Sequence, residues 1–90
     1  MSEWNPLGLQ ARINRAAERC LSQPRHLWPA GLTVERHRSV SPQNAEHVAL
    51  LEHYAREMCG DSWEWRIVES IGAPPMCVLT GQRTPAPYVP

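Results

Sequence analysis

The residue pattern predicts an α+β fold: two helices packed on a small, mainly antiparallel sheet of about three strands, in the order α-β-α-β-β, with a proline-rich C-terminal arm. Three observations predict it. Residues 41–60, SPQNAEHVALLEHYAREMCG, carry the start, the stop and the periodic face of a helix together. Trp63, Trp65 and Ile67 alternate with Glu64 and Arg66, the period of a half-buried strand. The closing stretch holds Pro85, Pro87 and Pro90, which favour an extended polyproline arm and cannot join a sheet centre. The 90 residues make one domain, expected over 1–82, with the arm over 83–90. A chain of this size buries only ~60–65% of its unfolded surface, so a partner that covers more of it is expected to stabilise it.

A first helix is expected from about 6 to 22. Asn5-Pro6 is a cap-then-proline start, and Leu9, Ile13, Ala16, Ala17, Cys20 and Leu21 recur at helical spacing. Trp4 precedes the cap and is placed to staple back onto the first turn. Arg12, Arg15 and Arg19 fall within about 60° of one another on the opposite face and form a basic ridge. Residues 22–31 then read as a loop, with two prolines and a glycine around Leu27 and Trp28. Trp28 serves there either as a contact for a partner or as a plug over the core edge.

Leu32, Val34 and Val40 share one parity, and Thr33, Glu35, His37 and Ser39 the other, which predicts an edge strand over 32–40. Arg36 and Arg38 interrupt its apolar parity, a usual protection for a sheet edge. In the central helix Ser41-Pro42 marks the start, and Val48, Leu51, Tyr54, Ala55 and Met58 form the inward face. Glu46, Glu52, His53, Arg56 and Glu57 form the outward one, with Glu52 and Arg56 at the favourable acid-before-base spacing of four. Gly60 closes the helix after about 18 residues, ~27 Å at 1.5 Å each. Trp63–Ile67 and Met76–Thr80 then pair as a hairpin around the turn Ile71-Gly72-Ala73-Pro74-Pro75.

Formal charge is zero but divided: residues 1–38 hold six Arg against three Glu, and residues 39–90 three Arg against six acids. Such a molecule can pair with copies of itself or meet partners of either sign. All nine basic residues are Arg, a bias that codon usage explains at every position and bidentate binding at only a few. The odd count of cysteines (Cys20, Cys59, Cys77) and the lack of a charged-then-apolar leader suggest a reducing, cytoplasmic setting. No apolar run approaches the ~20 residues of a membrane span, so no membrane partner is expected.

Motifs for chemistry are sparse. No C-x2-C, no H-x3-H and no glycine-rich phosphate loop occurs, so neither a metal site nor a nucleotide or other cofactor is expected. His47 and His53, six apart on a helix, point about 120° away from each other. The one enzymatic arrangement the residues allow pairs Cys77 or Cys59 with His47 as base, and the apolar positions of the cysteines argue against an activated thiol. The expectation is therefore a small non-enzymatic protein-binding protein, an inhibitor or assembly component compatible with a bacterial or phage accessory role. Its bet residues are Arg12, Arg15, Arg19, Trp28 and Tyr88, on the strength of four Trp and two Tyr in the chain and the divided charge. The alternatives are a nucleic-acid-binding or nucleic-acid-mimicking protein, in the first case through the Arg12/Arg15/Arg19 face, and a Cys-dependent enzyme.

Overall fold

The computed structural model describes residues 6–82 and has α+β architecture with three helices and one two-stranded antiparallel sheet. Helix α1 spans Pro6–Leu21, a single 3₁₀ turn follows at Arg25–Leu27, and α2 spans Val34–Arg38. Helix α3 is Ala45–Cys59, and strands β1 (Trp63–Ser70) and β2 (Ala73–Gln82) close the described chain. The expected arm over 83–90, with Tyr88, and the cap and staple residues Asn5 and Trp4 lie outside the described residues.

Helix α1 follows the predicted pattern closely. Pro6 occupies its first turn, Ile13, Ala17 and Cys20 are buried against α3, and Leu9 packs beside them. The amides of Ser22 and Gln23 close its end on the carbonyls of Arg19 and Cys20 at 3.1 and 2.9 Å, ahead of Pro24. Leu21, the last residue of the helix and expected inside, is exposed.

The edge strand expected over 32–40 is instead α2, so the sheet has two strands rather than three and the element order is α-α-α-β-β. The reason lies in the spacing of the residues that touch the core. Val34 and His37, three apart, share one face of a helix turn, and both are half-buried. In a strand they would take opposite faces, and His37 would lose its contact with Glu52 of α3, where its Nε2 lies 3.1 Å from the carboxylate. Glu and Arg are also good helix formers, and Glu is depleted in strands.

Helix α3 begins at Ala45, three residues after the predicted start. The amide of Ser41 is taken by the carbonyl of His37 at the end of α2 (3.0 Å), and residues 41–44 form a turn closed by Asn44 N–H to Ser41 C=O at 3.1 Å. The C-terminus is as expected: Gly60 has φ +53° and ψ −131°, and its amide bonds the Arg56 carbonyl at 3.1 Å. Helix α3 packs against α1, α2 and both strands. It therefore has little of the solvent face that the sequence predicts: Ala49, Leu50 and Glu52 are buried along with Val48, Leu51, Ala55 and Cys59.

The hairpin pairs Trp65 with Leu79, Ile67 with Cys77 and Ser70 with Ala73, leaving Ile71-Gly72 as the turn. Gly72, at φ +81°, takes the left-handed position that such a turn requires. Pro74 and Pro75 thus lie within β2 rather than in the turn, at a register shift opposite the Val68–Ser70 segment, one of the few places a strand accepts proline. A second shift between Glu64 and Trp65 leaves Thr80 as the extra residue on β2. Because that residue is on the partner strand, β1 keeps its parity, and Trp63, buried, and Trp65, half-buried, face the same way.

Helix α1 also seals one edge of the hairpin. Asn14 Oδ1 accepts the Cys77 amide at 2.8 Å, Asn14 Nδ2 donates to the Cys77 carbonyl at 3.0 Å, and Gln10 Oε1 accepts the Leu79 amide at 3.0 Å. Two side-chain amides four apart on a helix replace a neighbouring strand.

Candidate functional site

Two surfaces combine concavity with apolar side chains. The first is a groove of about 520 Å³ between α2, α3 and the outer edge of β1. Val40 lines it from the turn after α2, Val48 from α3, and Trp65 and Ile67 from the strand. Its polar residues are Arg36, His37, Glu52, Arg56 and Glu69. Glu52 is only 6% exposed. One of its oxygens lies 3.1 Å from His37 Nε2 and the other 2.5 Å from Arg56 Nη2, so the Arg56 guanidinium offsets part of the cost of burying the carboxylate. Neither contact is aligned as a hydrogen bond. Arg36, exposed at the rim, has no acidic partner among the described residues.

The second surface is the turn end of the hairpin. Ile71 is fully exposed, and Leu7 and Val40 are 72% and 75% exposed. Leu7, Ala11, Pro74, Pro75 and Met76 line a groove with Arg15 and Glu18, and Ile71, Ala73 and Pro74 line an adjoining one with Val40. The two share Ala73 and Pro74, and the second meets the α2–β1 groove at Val40 and Glu69. Exposed apolar side chains therefore gather about the hairpin end, and between Ile71 and Val40 the lining also holds Ser41, Gln43, Asn44, Glu69 and Ser70.

Of the sequence-predicted residues, Arg12, Arg15 and Arg19 are exposed on α1 and make no ion pair among the described residues. Arg15 lines the groove beside Leu7 and Met76. Trp28 is half-buried and packs against the core; its indole N–H donates to the Gln23 carbonyl at 3.1 Å, and the Arg25 guanidinium lies 5.4 Å from its ring centre. Arg25 pairs with Glu46. The lining of the Arg15 groove does not include Trp28. Sequence reasoning missed Leu7, Val40, Ile71 and Met76. The available signal was an isoleucine in the turn position where Asn, Asp or Gly is usual.

The three thiols are buried. Cys20 Sγ lies 2.9 Å from the Tyr54 hydroxyl, and that bond, with burial, pushes the phenol up to about 12. Burial pushes the Cys77 thiol up to about 12, with the nearby Cys59 adding to the effect, and burial also raises Cys59. Burial holds the His47 imidazole below its usual value, against a smaller opposing pull from Glu18. Among the described residues no group of three or more His, Cys, Asp or Glu side chains is placed to hold a metal ion, and no helix is long and apolar enough to cross a membrane. Comparison with protein-family models, with curated proteins and with solved structures finds no match to the chain.

Proposed function

We propose that the chain is a non-enzymatic protein-binding protein that acts by occupying a partner's surface, as an inhibitor or assembly component, and that the hairpin end is the contact. The observation that carries this reading is the set of exposed apolar side chains about the hairpin end, Leu7, Met76, Ile71 and Val40, which meet water although nothing in the fold requires it. Arg15, in the groove with Leu7 and Met76, supplies the kind of charged, hydrogen-bonding neighbour that interface arginines provide. The basic ridge is then an extension of the contact along α1.

The test is affinity capture on wild type and on Ile71→Asp/Met76→Asp, from the source cells, with nuclease present and with sedimentation of the isolated chain in parallel. Both substitutions are at exposed positions, so stability should hold. The expected result is a defined protein partner, or self-association, that survives nuclease and is lost in the variant. Associations that all persist in the variant would remove the hairpin end from the reading. A nucleic-acid role for Arg12, Arg15 and Arg19 predicts instead that nuclease abolishes capture and that affinity falls steeply with salt, by a log–log slope of about −2 to −3 for three phosphate contacts.

A further inference from the structure

Among the described residues, one edge of the hairpin is closed and the other is open. The Cys77 and Leu79 amides point away from β1, to Asn14 and Gln10. In an antiparallel ladder such residues belong to non-hydrogen-bonded pairs, so their opposites, Ile67 and Trp65, also direct N–H and C=O away from the partner strand. These groups lie on the outer edge of β1. Among the described residues no main-chain or side-chain group outside the hairpin bonds them. The same edge is a wall of the groove under α2 and α3, over the roughly 13 Å from Trp65 to Glu69 at about 3.3 Å per residue.

We propose that this groove binds an extended segment of a partner protein, which adds to β1 as a third strand. The inference rests on the protein-binding reading and names the chemistry of the partner. Main-chain donors and acceptors repeating every second residue are matched by another extended main chain, and a helix, whose own backbone groups are already paired, leaves them unsatisfied. Alternate side chains of the segment enter the groove against Val40, Val48, Trp65 and Ile67, and are therefore apolar. An acidic side chain of the segment meets Arg36, the rim cation without a described acidic partner.

The probe is a randomised octapeptide display library selected against the whole chain, followed by synthesis of the most enriched peptide. The expected consensus alternates apolar residues and contains Asp or Glu. N-methylation of that peptide at residues of one parity should weaken binding at least about tenfold, and at the other parity hardly at all, because only one set of amides faces β1. Arg36→Glu should weaken it about tenfold. Amide exchange at Trp65 and Ile67 should slow on binding. Loss of affinity that ignores the parity of N-methylation, or unchanged exchange at those two amides, overturns the proposal, as does a library that yields no enriched sequence. A peptide lost with Ile71→Asp and kept with Arg36→Glu binds the hairpin end, which leaves the protein-binding reading intact and the groove proposal wrong. Peptide-independent dimers broken by Arg36→Glu would assign the edge to a second copy and likewise overturn it.

Discussion

At the scale of single residues, Glu52 shows how local charge and tertiary position compete. On a helical wheel it belongs with the polar residues, yet the packed molecule covers it to 6% exposure and sets His37 and Arg56 against it. Replacing it by an apolar residue of similar volume removes the carboxylate and with it the contact to Arg56 and the contact to His37 that ties α2 to α3. Glu52→Leu should therefore cost about 1–3 kcal/mol, read as a lower urea midpoint with an unchanged slope. His47 gives a pH dependence whose sign is set by burial. Its folded-state value lies below 6.5, so between the two values the unfolded chain holds the extra proton. The stabilising contribution of neutral His47 is complete above about pH 6.5 and is lost as pH falls through that value towards the folded one. Urea midpoints at about pH 7.5 and 5.5 should diverge less in His47→Gln than in wild type; equal divergence would show that other groups carry the acid sensitivity.

At the scale of elements, the hairpin is a weak unit on its own, since two strands do not form a stable sheet in water. Helix α1 supports it through Asn14 and Gln10, whose amides meet the β2 main chain 63 and 69 residues away in sequence. Asn14→Ala leaves the Cys77 N–H and C=O without the partners that α1 provides. It should destabilise the fold by about 1–3 kcal/mol and speed amide exchange at Cys77 more than at Val68 on the other strand. Equal acceleration across the hairpin would mean that Asn14 supports the whole fold rather than the edge. The same pair of amides explains why the two edges of a two-stranded sheet differ: one is closed by side chains of α1, while the other faces a groove.

At the scale of the whole molecule, α3 is the shared support of everything else. Leu51 is fully buried at the middle of it, in a cluster that draws Ile13 and Ala17 from α1, Trp63 from β1 and Cys77 from β2. Leu51→Ala should cost about 2–5 kcal/mol, a large part of the 5–15 kcal/mol that stabilises a typical domain. Its thermal transition should shift as one cooperative step, and separate melting of helices and hairpin would refute a common core. The surface substitutions at Ile71 and Met76 offer the opposite case. They change what the molecule presents to others while leaving that core untouched.

Local chemistry in the sequence determined the α+β class, the spans of α1 and of the hairpin, the glycine stop at Gly60 and the Glu52–Arg56 pair, because each depends on residues close together in the chain or on a clear period. Tertiary structure decided the rest. Whether residues 34–38 form a strand or a helix turned on His37 reaching Glu52, a contact across 15 positions that no alternation pattern records. The number of strands, the burial of Glu52 and the sealing of β2 by Asn14 and Gln10 followed from the position of α3 and α1 in space. The candidate surfaces share that origin: Leu7, Met76, Ile71 and Val40 are scattered single residues in sequence and gather about the hairpin end only when α1 and the turn after α2 are brought beside it.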